Sequence, residues 1–188
     1  MTTPYFPPAP ELQTTRWFGS AGEITLQSLR GQVVMLHFFQ MLCPACVLHG
    51  LPQAMKTHRL FAGKGIAVIG VHSVFEHHEV MTPQALEAFL HEYRPGFPVG
   101  IDAPSGGSIP RTMREYALHG TPSVVLIDRQ GRVRMSHFGA VDDMAMGAAF
   151  GSLLCADELA GPCDAEGCKA RSDGDSAHGS NLRSFQIP

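Results

Sequence analysis

The 188-residue chain has no dense cluster of lysine and arginine, and its formal charge is only -3. Nucleic-acid and membrane-surface binding both draw on a concentrated positive field, so neither is expected. No stretch approaches the roughly 20 apolar residues of a membrane span. The first residues, Met1-Thr2-Thr3-Pro4-Tyr5-Phe6-Pro7-Pro8, lack the basic start and apolar run of a secretory leader. A cytoplasmic setting is therefore expected, where a cysteine pair rests reduced and serves chemistry rather than stapling the fold. Disorder throughout is excluded by a hydrophobic content of 44%, enough for a core.

What is present is a pair of thiols two residues apart, Cys43-Pro44-Ala45-Cys46, directly after the apolar run Val33 to Phe39. A continuous apolar run of this kind suits a strand covered on both faces, and Pro44 suits the first turn of a helix. Cys43 thus falls at a helix start, where unpaired N–H groups and the positive end of the helix dipole favour a thiolate. It is the expected nucleophile. Cys46, one turn further in, is the expected resolving thiol. The other reading is a structural pair or half a zinc site, but no second CxxC or CxxH follows at zinc-finger spacing.

Organisation along the chain points to an α/β protein. A Pro-rich arm over 1–12 precedes two short edge strands, Trp17-Phe18 and Ile24-Thr25-Leu26, and then the Val33–Phe39 strand. The helix that starts at Pro44 is expected to run to Phe61 with a kink at Pro52. Gly65 to His72 reads as a second buried strand. Thr82-Pro83 reads as an N-cap and first helical position, ahead of Leu86, Phe89, Leu90 and Tyr93 at helical spacing. Phe97 to Asp102 suits a short strand and Ile109 to Leu118 a short helix. Ser123–Ile127 and Val133–Phe138 flank the turn Asp128-Arg129-Gln130-Gly131 as an antiparallel hairpin, and Met144 to Leu154 closes with a helix. The order implies a central mixed sheet with helices on both faces, its early strands parallel and its last pair antiparallel. Residues 155–188 shift to Gly, Asp, Ser, Ala and Cys and read as an irregular tail after a domain over 13–154.

Three elements in this order, the CPAC pair after a strand, Thr121-Pro122 before another, and the run Val124 to Arg132, resemble the thioredoxin-like superfamily. The match extends from about Trp17 to Leu154 and is closest in kind to the TlpA-type and redoxin (AhpC/TSA-related) domains, which insert a strand and helix between the halves of the fold. The resemblance implies a thiol-disulfide oxidoreductase that acts on protein or small-molecule disulfides, draws on a separate thiol donor and needs no cofactor. It also implies that Pro122 is cis beside the cysteines and that Thr121 offers its backbone to an extended substrate. Leu42, Pro44 and Ala45 complete the expected substrate-contacting set. Leu42 stands where relatives often have Trp, which alters the surface shown to partners.

His37 occupies the position, six residues before Cys43, at which thioredoxins bury an acid. An imidazole there is either a base for the second thiol or a core residue with one satisfied hydrogen bond. His49, three residues after Cys46, either tunes the thiols or is an exposed helix residue without a role. His72 and Glu76-His77-His78-Glu79 read as a strand end and a solvated loop, with no metal assigned. Of the five cysteines, Cys155, Cys163 and Cys168 admit a small disulfide, a zinc site with His178 or an electron relay, and unpaired surface thiols are the default. Two other functions compete. Peroxiredoxins share the fold, but their reactive cysteine follows a Thr by three residues and uses an Arg, whereas Gln40 holds that place here. A non-enzymatic redox-sensing or metal-binding module is the third.

Overall fold

Alternation along strand β2 (Val33–Phe39) divides the protein into two cores. In a strand, successive side chains point to opposite faces. Val33, Met35 and Phe39 therefore join one buried cluster, while Val34, Leu36 and Phe38 join the other. The computed structural model describes residues 6–156. Its sheet has six strands in the order β1-β4-β3-β2-β5-β6, with β1 at Thr14–Phe18, β3 at Ile66–His72, β4 at Val99–Asp102, β5 at Ser123–Ile127 and β6 at Val133–Phe138. The pairs β2–β3 and β3–β4 are parallel, while β2–β5, β5–β6 and β1–β4 are antiparallel. The sheet is thus mixed as expected. No helix among the described residues is long and apolar enough to cross a membrane.

One face is covered by α1 (Leu51–Phe61), α2 (Pro83–Tyr93) and α4 (Asp143–Cys155), through Leu51, Ala54, Leu86, Met146, Phe150 and Leu153. The other face carries the five-residue α3 (Arg111–Glu115), which contributes Met113, together with Leu12 and Leu26. The Thr82 hydroxyl accepts from Ala85 N at 3.2 Å and caps α2 as its sequence implies. Asp142 caps α4, its Oδ1 accepting from Met144 N and Ala145 N at 2.9 and 3.1 Å.

Several boundaries differ from expectation, each for a local reason. Ile24-Thr25-Leu26 is not a strand: the Glu11 carboxylate takes the Leu26 N–H at 2.7 Å, and a short 3-10 turn, Gln27–Leu29, follows. The helix expected over Ile109–Leu118 shrinks to α3 because Ala117 turns left-handed (φ 52°) and the Leu118 N–H returns to Met113 O. Asp102, almost fully buried, accepts from Thr112 N, Met113 N and Ser73 Oγ at 2.8 to 3.0 Å, tying α3 to the ends of β3 and β4. The helix after the cysteines does not simply kink at Pro52. After Pro44 and Ala45 it widens into a π-helical turn, Cys46–Gly50, in which the Leu51 N–H reaches back to Cys46 O, before α1 begins. Proline has no N–H to give and crowds the carbonyl four residues earlier, so one wider turn accommodates it.

Pro7, Pro8 and Ala9 of the N-terminal arm lie on the outer strand. Pro8 bridges Arg132, the Ala9 N–H donates to Gly131 O at 2.8 Å, and the Val133 N–H donates to Pro7 O at 2.9 Å. This covers the start of an otherwise open edge. The β5–β6 turn is held by Asp128, whose Oδ1 accepts from Gln130 N and Arg132 N and whose Oδ2 accepts from Arg132 Nε and Arg134 Nη1.

Candidate active site

Cys43 stands where an N-cap residue stands. Its carbonyl accepts the first helical hydrogen bond, from Val47 N at 3.1 Å, and Pro44 follows at the first helical position, where a missing N–H costs nothing. Three residues on, the Cys46 N–H donates to Cys43 Sγ at 3.3 Å, the bond an N-cap serine or aspartate oxygen would otherwise accept. The sulfur is half-buried and also donates to Thr121 O at 3.5 Å. Both thiols are free.

Cys46 is wholly buried. Burial pushes its thiol up to about 12, with further upward pressure from the hydrogen bond and charge of Cys43, while bonds from the Thr121 side chain and the Gln40 backbone pull the other way. One thiol is therefore open to a partner and the other is held back as a protonated group. The Thr121–Pro122 bond is cis.

His37 projects from β2 beneath the π-helical turn. It is fully buried, stacks on Phe39 with ring centroids 5.5 Å apart, and among the described residues neither ring nitrogen has a hydrogen-bond partner. The single satisfied bond expected of a core histidine is absent, and burial holds its pKa down at about 4. Its ring lies against Gly50. A Cβ on Gly50 would fall 2.5 Å from His37 Cε1 and 3.1 Å from Pro122 Cβ, so glycine is required here for close approach. Gly50→Ala should therefore lower the unfolding free energy by about 2 kcal/mol, the scale of overpacking in a closed core. Urea titration checks this, and an unchanged midpoint would show that the ring moves freely.

His72 braces the same loop from the neighbouring strand. Almost fully buried, it accepts from Met41 N through Nε2 at 3.3 Å, and burial again lowers its pKa to about 4. His49 lies on the exposed side of the π-helical turn, and among the described residues no hydrogen bond joins it to either thiol. Leu42, Pro44 and Ala45 are exposed around Cys43. Cys155 is free and exposed at the end of α4, whereas Cys163, Cys168 and His178 lie outside the described residues. Among the described residues no group of three or more His, Cys, Asp or Glu is placed to hold a metal ion.

Sequence reasoning missed one wall of the site. Glu76 and His77, read as part of a solvated loop, are exposed but line a cavity of about 400 Å³ that opens on Cys43. Gln40, weighed only as an occupant of a peroxidatic threonine position, pins that loop. Its Oε1 accepts from Phe75 N and its Nε2 donates to Glu76 Oε1, both at 3.3 Å.

A helix-capping cysteine, a buried second thiol and a cis-proline on a mixed sheet define a thioredoxin-like redoxin domain. The chain belongs to the AhpC/TSA family, which residues 7–136 match. It is 54% identical to a thioredoxin-like superfamily protein of known structure, with TM-score 0.77, over 78% of this chain and 96% of that one. A thiol-disulfide isomerase from Corynebacterium glutamicum is 51% identical with TM-score 0.74, over the same shares of the two chains. Protein DipZ of Mycobacterium bovis and of Mycobacterium tuberculosis is 30% identical over 137 residues, which is 71% of this chain. The chain spans only 19% of the length of those curated relatives.

Proposed function

We propose that the protein is a thiol-disulfide oxidoreductase that cycles Cys43 and Cys46 between dithiol and disulfide. The observation that carries this reading is the asymmetry of the pair: Cys43 is half-exposed and receives the Cys46 N–H, while Cys46 is wholly buried. In the reductive direction the Cys43 thiolate attacks a substrate disulfide, the substrate S–S bond breaks, and a mixed disulfide forms as one substrate thiolate leaves. That thiolate, the strongest base newly made in the site, takes the Cys46 proton. The Cys46 thiolate then attacks Cys43 Sγ, closing Cys43–Cys46 and releasing the second substrate thiolate. The substrate gains two electrons and the protein loses two, which an external thiol donor restores.

His37 acts in this scheme as a positioning residue. With a pKa near 4 the imidazole is neutral at pH 7 and far too weak a base to hold the Cys46 proton at rest. Its ring instead supports the turn that presents Cys46. A peroxidase reading is less well supported, because the Gln40 amide is engaged by Phe75 and Glu76 and, among the described residues, no arginine lines the cavity at Cys43. Equilibrating the protein in dithiothreitol redox buffers, alkylating it and mapping peptides by mass spectrometry tests the proposal. Cys43 and Cys46 should lose their alkylation together in one two-electron transition. Independent titration of the two, or hydrogen peroxide turnover matching disulfide turnover, would sink it.

A further inference from the structure

We propose that the cavity beside Cys43 is a peptide cleft that selects substrate proteins whose reactive cysteine is flanked by an apolar residue and, next to it, a basic one. The proposal rests on the oxidoreductase reading and narrows its substrate from any disulfide to a cationic, extended protein segment.

The walls are apolar, and hydrogen bonds and close contacts tie both of them to the fold. Leu42 and Phe138, 55% and 65% exposed, stand at the rim, with Phe75 and Met81 deeper in the lining. Large apolar side chains left this open beside a reactive sulfur mark an interaction surface. The Phe138 ring is seated on Gly120: a Cβ there would fall 2.6 Å from Phe138 Cε2. The Gly139 N–H donates to Pro122 O at 2.8 Å and ties the end of β6 to the cis-proline. The facing loop is pinned by Gln40, itself 1% exposed and three residues before the nucleophile.

Charge supplies the second half of the selection. Among the described residues Glu76 is the one acid lining the cavity, and His77 is the one basic group beside it. The Glu76 carboxylate takes only the neutral Gln40 amide through Oε1, and it forms no ion pair among the described residues. A lysine or arginine two positions from the substrate cysteine, just beyond the apolar residue, would complete it. An anionic small disulfide such as oxidised glutathione would meet a like charge at the same place.

The test uses pre-reduced full-length protein and three disulfide-linked peptides that carry Leu beside the cysteine and Lys, Ser or Glu beyond it. Single-turnover second-order rate constants should rank Lys over Ser over Glu, with about tenfold between the extremes, since an exposed charge attracting one peptide and repelling another is worth roughly threefold each way. The spread should narrow as salt rises. Glu76→Gln should bring the Lys-to-Glu ratio near unity and Glu76→Lys should invert it. Replacing the flanking Leu by Ser should slow wild type more than Phe138→Ser. Equal rates for the three peptides, or an undiminished Lys preference in Glu76→Gln, would overturn the cleft while leaving the redox reading standing. Failure of every peptide to react at Cys43 would overturn both.

Discussion

Cys43→Ser should abolish disulfide exchange, lowering the second-order rate constant on the order of 10³-fold or more, because a hydroxyl at a helix start cannot replace a thiolate as nucleophile. Cys46→Ser should leave attack possible and remove resolution, so that Cys43 accumulates as a mixed disulfide with its substrate. The two variants therefore fail differently, one silent and one trapped. Resolution in the unsubstituted protein should carry its own pH signature. With the Cys46 thiol pushed up to about 12 by burial and by Cys43, its thiolate fraction rises about tenfold per pH unit throughout the neutral range. Once Cys43 is bonded to substrate, its contribution to that elevation disappears while burial persists, so resolution should still quicken with alkali between pH 6 and 9. Stopped-flow release of a fluorescent thiol from a preformed mixed disulfide measures this step alone. A pH-independent release, or trapping by Cys43→Ser as efficient as by Cys46→Ser, would reverse the assignment of roles.

The parts of this site that were legible in the sequence are those that local chemistry determines. A thiol followed by proline at the end of an apolar run announces an N-cap cysteine, and the cis bond at Thr121-Pro122, implied by the family resemblance, is present. Thr82-Pro83 marks the start of α2 equally well. What could not be read depends on residues far apart in the chain. Ile24–Leu26 has the composition of a strand, but a carboxylate 15 residues earlier satisfies the Leu26 N–H. The π-helical turn requires knowing which carbonyl Leu51 reaches, which Pro52 constrains without deciding. Gln40 and Phe75–Glu76 are 35 and 36 residues apart, and only the parallel pairing of β2 with β3 brings them together beside the thiol. Position alone suggested that His37 replaces a buried acid, but the loss of both its hydrogen bonds is a property of the packed core.

That packing should give the fold a steep dependence on acid. His37 and His72 are neutral in the folded protein, with pKa values near 4 against an ordinary 6.5, and burial is the cause in both. Well above pH 6.5 neither the folded nor the unfolded chain protonates them, and the full stability is present. As pH falls through 6.5 the unfolded chain takes up protons that the native state refuses until about pH 4, so stability declines across that window. At pH 5 the loss is about 2 kcal/mol for each histidine, or about 4 for the pair, a large part of the 5–15 kcal/mol that holds a typical domain together. Protonating His72 also breaks its acceptor bond to the Met41 N–H, which loosens the loop that carries Cys43. Asp128 extends the decline to lower pH: burial works against its ionised form, but Arg132 and Arg134 hold its carboxyl below the usual range, and that contribution is lost as the pH passes through the depressed value. Urea unfolding at pH 7.5 and pH 5 should therefore give midpoints well apart with the same slope. His37→Leu should recover about half the difference, because one buried site that refuses the proton is removed and His72 keeps the other. Equal midpoints at the two pH values, or an unaltered pH response in His37→Leu, would show that water reaches these rings and that the core under the active-site turn is not closed.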